Sequence, residues 1–126
     1  MKLELEQPGK DLYRIDSYNT GVICINGEHL TASLIITPHL LVQDWPPQSF
    51  ADIASQHIEQ LIQLRPEIII LGTGRQLHFL TPQLTVLIHR QGIGFETMDT
   101  GAACRSYNLL MSEGRNVAAG LLVPAP

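Results

Sequence analysis

Gly72-Thr73-Gly74-Arg75 comes nearest to a ligand-binding motif in this chain. Glycines let backbone N–H groups approach an anion, and an arginine beside them adds charge and paired donors. The spacing is not a dinucleotide fingerprint, because His78-Phe79 stand where a third glycine would lie. No Gly-Lys-Ser/Thr follows, so it is not a phosphate loop either. The plainer reading is a tight turn that needs positive φ.

Asp99-Thr100-Gly101-Ala102-Ala103-Cys104-Arg105 is the second candidate. It reads as the end of a strand and the start of a helix capped by Thr100, where amide donors and the helix dipole favour an anion. Cys104 in the first turns, with Arg105 adjacent, has two influences that favour a thiolate. Against this, an alanine-flanked cysteine on a packed helix is commonly a small core residue. Nucleophilic catalysis also needs a base and an orienting group, which nothing nearby supplies.

The five histidines (His29, His39, His57, His78 and His89) include no i, i+4 pair and no accompanying acidic cluster, so no metal site is expected. Glu96 lies inside an apolar strand pattern, where a buried carboxylate needs a partner, and Arg105 or Arg115 is expected to supply a structural ion pair. Trp45 beside two prolines is either an exposed contact residue or a lid over the core.

The elements that must position these residues are legible in outline. Tyr13, Ile15 and Tyr18 mark a first strand and Val22 to Ile25 a second, with Asn26-Gly27 as a type I′ hairpin turn. A third strand is expected from Glu28 through Ile36, interrupted at Thr37-Pro38 and resuming from His39 to Val42. Asp44-Trp45-Pro46-Pro47 is a loop. Ser49, with Asp52 three residues on, opens a helix whose stripe is Ile53, His57 or Ile58, Leu61, Ile62 and Leu64. Pro66 ends it, and Glu67 to Leu71 is a strand covered on both faces.

The pattern then alternates. Thr81-Pro82 starts a helix with Leu84, Leu87 and Ile88 inward, and Gly92 stops it. Gly94 to Met98 is a strand. Thr100 begins a helix carrying Ala103, Tyr107, Leu110 and Met111, closed by Gly114, and Val117 to Val123 is the last strand. This β-α-β-α-β half predicts a largely parallel sheet, with the β-rich N-terminal half extending or covering an edge. Loops leaving Leu71 and Met98 should emerge together at one end of that sheet. Gly72, Thr73, Gly74, Arg75, Thr100, Gly101 and Arg105 would then line a shared crevice for an anion or small molecule.

Bulk properties narrow the classes. The chain has 126 residues, 44% of them hydrophobic and 16% charged, which fits a single α/β domain over 1–126. A net charge of −4 without a basic run disfavours nucleic acid. Cys24 and Cys104 are too few for a disulfide framework. Met1 to Lys10 has no continuous apolar stretch, so no secretory leader is expected. An apolar run such as Ile68 to Leu71 is too short for membrane insertion. The expected location is cytoplasmic.

Gly92-Ile93-Gly94-Phe95-Glu96-Thr97-Met98-Asp99-Thr100 continues through Ala102, Ala103, Arg105, Ser106, Tyr107, Asn108, Leu110, Glu113 and Arg115. With the Leu71-Gly72-Thr73-Gly74 turn and the Val117-Ala118-Ala119-Gly120-Leu121-Leu122 ending, this stretch resembles a small α/β family of unknown function. That family includes the mitochondrial complex I assembly factor 3 and an adipogenesis-associated protein. Without a mitochondrial presequence, the chain looks like a bacterial member. The resemblance implies a three-layer fold around a mixed sheet, no cofactor, no established activity, and work through protein contacts. A non-catalytic protein-binding or assembly-factor-like module is therefore the leading expectation, with homo-oligomers open. The alternative is a small-molecule or anion binder, or an enzyme, using the strand-end crevice.

Overall fold

The computed structural model describes residues 12–124, so Met1 to Lys10 lie outside the described residues. Two sheets and three α-helices make up this region. An antiparallel three-stranded sheet holds β1 (Ile15–Asn19), β2 (Val22–Ile25) and β3 (Glu28–Leu30) in sequence order. The central sheet has the order β5-β4-β8-β6-β7, built from β4 (Leu34–Ile36), β5 (Leu41–Val42), β6 (Ile68–Gly72), β7 (Gly94–Met98) and β8 (Val117–Leu121). β6 is parallel to both β7 and β8, whereas β4 is antiparallel to β8 and β5. The sheet is thus mixed, with a parallel centre.

Alternation along the central strands divides the core into two halves. Ile70, Val117, Ala119, Leu121, Leu34 and Ile36 face one side, under the helix α3 (Thr100–Ser112) and the small sheet. Ile69, Leu71, Ala118, Leu122 and Ile35 face the other, under α1 (Ser55–Ile62), α2 (Pro82–His89) and Trp45. These are the three layers of an α/β fold. Strands buried on both faces read as continuous apolar runs, which is why Ile68-Ile69-Ile70-Leu71 carries no polar residue.

Asn26 and Gly27 have φ of 48° and 86°, the mirror-image turn expected, and Ile25 pairs with Glu28 across it. The Asn26 carboxamide also accepts the Arg14 N–H at 2.9 Å and donates to Leu12 O at 3.1 Å. The chain before β1 is thereby tied to the turn.

Four boundaries differ from the sequence reading. The strand expected from Glu28 through Ile36 is two strands in different sheets, broken at Thr31-Ala32-Ser33. Ser33 O accepts the Trp45 N–H at 2.9 Å, so the backbone between the sheets bonds to the following loop. The helix expected from Ser49 stops after a single 3₁₀ turn, Phe50–Asp52, and restarts at Ser55. His57 Nδ1 accepts the Ala54 N–H at 2.9 Å there, the return bond of a capping box, while Ala54 offers the first turn no side-chain acceptor. Asp99, not Thr100, caps α3, accepting the Ala102 N–H at 2.9 Å. The final strand ends at Leu121.

Trp45 is buried against β8. A Cβ on Gly120 would lie 2.7 Å from Trp45 Cη2, so that glycine makes the space in which the ring sits. The indole N–H donates to Gln60 Oε1 at 3.1 Å, and the His57 ring meets it edge-on at 6.2 Å. The prolines beside it therefore direct a core lid, not an exposed contact.

Candidate functional site

Gly72 pairs with Met98 on one side and Leu121 on the other, so three strands end at one level and their loops emerge together. The juxtaposition expected from topology is present, and its chemistry is closed. Thr73 N–H donates to Met98 O at 2.8 Å, and Thr100 N–H donates to Gly74 O at 2.9 Å. Gly74 N–H donates to Thr100 Oγ1 at 2.8 Å, and that hydroxyl donates to Leu122 O at 2.7 Å. Leu122 N–H donates back to Gly72 O at 3.0 Å. Thr100 is fully buried at the centre of this ring.

Two glycines in the turn have separate reasons. Gly74 has φ +99°, which an L side chain rarely adopts. Gly72 is instead excluded by space: a Cβ there would stand 2.9 Å from Leu121 Cδ2 and 3.1 Å from the Thr100 Cα. The close approach of the turn to α3 thus depends on a missing side chain. Beyond the turn, the Thr73 hydroxyl lies 2.6 Å from Gln76 O as donor and accepts the His78 N–H at 3.2 Å.

The helix start is equally occupied. Asp99 puts its carboxylate on the Ala102 amide, and Ala103 N–H donates to Asp99 O at 2.9 Å. A carboxylate already seated on the first turn opposes a second anion there. The Tyr18 ring packs over the Gly101 position, 3.4 Å from where a Cβ would be. Burial first, with the Asp99 carboxylate adding to it, raises the Tyr18 phenol above its ordinary pKa.

Of the residues expected in the crevice, Thr73, Gly74 and Arg75 border an open cleft of about 280 Å³. Its other walls include Phe50, His78 and Leu122, with the Phe50 and His78 rings stacked at 4.8 Å. Gly72, Thr100, Gly101 and Arg105 do not line it. Arg75 and Arg105 are both exposed.

Cys104 is 3% exposed on the inner face of α3. Burial pushes its thiol up to about 12, overcoming the opposing pull of Arg105. The two influences that favour a thiolate are outweighed by desolvation, so this is the small core cysteine of the plainer reading.

The expected Glu96 pair is overturned. Glu96 is exposed on β7, which is an edge strand, so its charge remains solvated and requires no buried partner. Arg115 pairs instead with Glu67 at 2.7 Å on the surface, and the bond to that carboxylate raises the guanidinium pKa. No ion pair joins Glu96 to Arg105 or Arg115 among the described residues. Among the described residues, no group of three or more His, Cys, Asp or Glu side chains is placed to hold a metal ion.

Sequence reasoning missed the loop beyond the turn. Residues 75–79 are consecutively exposed, with Leu77 at 48% and Phe79 at 74%. Two large apolar residues in an aperiodic segment between a glycine turn and Thr81-Pro82 were the available signal. No helix of the described residues is long and apolar enough to cross a membrane.

The family described as "Protein of unknown function (DUF498/DUF598)" matches residues 15–122. The chain is 34% identical over 122 residues to NADH dehydrogenase [ubiquinone] 1 alpha subcomplex assembly factor 3 of Homo sapiens, covering 95% of this chain. It spans just under two thirds, 66%, of that protein's length. It is also 30% identical over 112 residues to the 13 kDa major membrane protein of Francisella tularensis, covering 87% of this chain and 80% of that one. The solution structure of a Bordetella pertussis protein, described as a Mth938-like domain, superposes with a TM-score of 0.83 and 30% identity, covering 99% of this chain and 94% of that one. A chain that matches the family over residues 15–122, with relatives of this coverage, belongs to the DUF498/DUF598 family of proteins of unknown function.

Proposed function

We propose that this protein is a non-catalytic, protein-binding module that helps assemble a multi-protein complex. The observation that carries the reading is the relationship to a protein named as an assembly factor, at 34% identity over 95% of this chain. The site geometry supports the same reading. The glycine turn and the α3 start bond to each other, so their amides serve the fold and the surface they leave is a rigid one. On this reading the chain acts from the cytoplasmic side in the assembly of a membrane complex, and no cofactor takes part.

Affinity capture of the tagged full chain from its native cells, with quantitative identification of co-purifying proteins, tests this. One or a few proteins recovered in near-stoichiometric amount, and lost with surface variants that still fold, is the expected result. A chain that purifies alone at native abundance, with a small molecule held in the 280 Å³ cleft, overturns it in favour of ligand binding.

A further inference from the structure

We propose that Asn26-Gly27 is a spontaneous deamidation site that the fold holds latent, and that release of residues 12–14 from the turn converts Asn26 to aspartate and isoaspartate. The proposal is independent of the protein-binding reading. In the reaction the Gly27 nitrogen attacks Asn26 Cγ and an N–C bond forms. The Cγ–Nδ2 bond breaks, and ammonia leaves with the proton that the Gly27 nitrogen gives up. One water then opens the five-membered imide at either carbonyl. A side chain on the following residue obstructs the attack, and the other asparagines are so followed: Asn19 by Thr20, Asn108 by Leu109 and Asn116 by Val117. Asn26 is followed by glycine, and both residues are exposed. No atom lies within 4 Å of where a Gly27 Cβ would stand.

The fold engages both reacting groups. Asp16 Oδ2 accepts the Gly27 N–H at 2.8 Å, so the nucleophile is occupied and a carboxylate opposes its ionisation. The electrophile is held from two sides: the Asn26 carboxamide accepts the Arg14 N–H at 2.9 Å and donates to Leu12 O at 3.1 Å. Departure of the amide nitrogen must break the second of these bonds. Leu12 and Tyr13 are only half-buried and Arg14 is exposed, so this segment opens at less cost than the core. The restraint is also reciprocal. An aspartate at position 26 cannot donate to Leu12 O, and it adds a carboxylate to a turn that Asp16 already serves. Isoaspartate lengthens the backbone by a methylene inside the turn across which Ile25 pairs with Glu28. Conversion therefore unties residues 12–14 from the hairpin and leaves an irreversible record that the segment has opened.

Incubating the folded full chain at neutral pH, beside the same chain unfolded in guanidinium chloride, tests the proposal by mass-spectrometric peptide mapping of each asparagine. In the unfolded chain Asn26 should convert several-fold faster than Asn19, Asn108 and Asn116. In the folded chain its conversion should be several-fold slower than in the unfolded one. Asp16→Ala should raise the folded-state rate several-fold while the β6 amides stay protected from hydrogen exchange, which separates local release from unfolding. Asn26→Asp, which reproduces one product, supplies a second readout: faster amide exchange at Tyr13 with β6 still protected. Equal rates at Asn26 in the folded and unfolded chains overturn the proposal, as does an Asn26 that converts no faster than the other asparagines when unfolded. An unchanged rate in Asp16→Ala also overturns it. Should that variant lose the β6 protection, Asn26→Asp decides, and unchanged exchange at Tyr13 there overturns the coupling to residues 12–14.

Discussion

Thr100 Oγ1 accepts the Gly74 N–H at 2.8 Å while donating to Leu122 O at 2.7 Å, so one buried hydroxyl joins two strand ends and a helix start. Removing it leaves a buried donor and a buried acceptor unsatisfied. Each such group costs about 1–3 kcal/mol. Thr100→Val, which keeps the shape, should lower stability by about 2–4 kcal/mol, read as a shift in the urea midpoint. Thr100→Ser keeps the hydroxyl and should recover most of that loss.

The same ring of bonds predicts how the turn meets phosphate. Thr73, Gly74 and Thr100 amides already donate to Met98 O, Thr100 Oγ1 and Gly74 O. Millimolar phosphate should therefore leave their amide resonances in place. Saturable shifts at Thr73 and Gly74 would restore the anion-binding reading of the crevice.

Gly120→Ala should destabilise the protein through Trp45. The added Cβ would meet Trp45 Cη2 at 2.7 Å and Cζ3 at 2.9 Å, and overpacking of this kind costs about 1–3 kcal/mol. Combined with Trp45→Phe the penalties should be less than additive, because a smaller ring frees the space. A double-mutant cycle from denaturation midpoints measures this coupling.

Alkaline pH should weaken the fold through Cys104. Its folded pKa is raised, from 9.0 to about 12, so the native state holds a proton that the unfolded chain releases. This contribution is complete below about pH 9 and is lost progressively as pH rises toward about 12. The slope approaches about 1.4 kcal/mol per pH unit for one proton. Cys104→Ala should flatten the alkaline limb of the stability profile. In the native state at neutral pH, a thiol reagent should modify the half-buried Cys24 ahead of Cys104.

Glu96→Gln should leave the denaturation midpoint within about 0.5 kcal/mol of the parent, as is usual for an exposed position. Edge strands commonly carry a charge that discourages pairing with another chain, and Glu96 occupies such a position on β7. A rise in self-association of the Gln variant at high concentration, measured by sedimentation velocity, would show that role.

By itself the sequence determined the features that depend on neighbours along the chain. Asn26-Gly27 declares its hairpin because only residues tolerant of positive φ turn two strands that tightly. Ile68 to Leu71 declares a doubly covered strand through apolar continuity, and Thr81-Pro82 with Gly92 brackets α2 through local capping preferences. The β-α-β alternation then brings the Gly72 and Thr100 segments to one sheet end, as topology requires.

What the tertiary structure decided concerns partners distant in the chain. Whether Glu96 is buried depends on β7 being an edge strand, which strand order settles and local pattern does not. Glu28 through Ile36 alternates smoothly in sequence, and it divides because β3 pairs with β2 while β4 pairs with β8. Cys104 stays neutral because the small sheet and α3 exclude water from it, a desolvation that no adjacent residue announces. The strand-end crevice follows the same rule. Its amides lie where the topology puts them, and only the approach of Thr100 to Gly74, through the space left by Gly72, shows that they bond to one another.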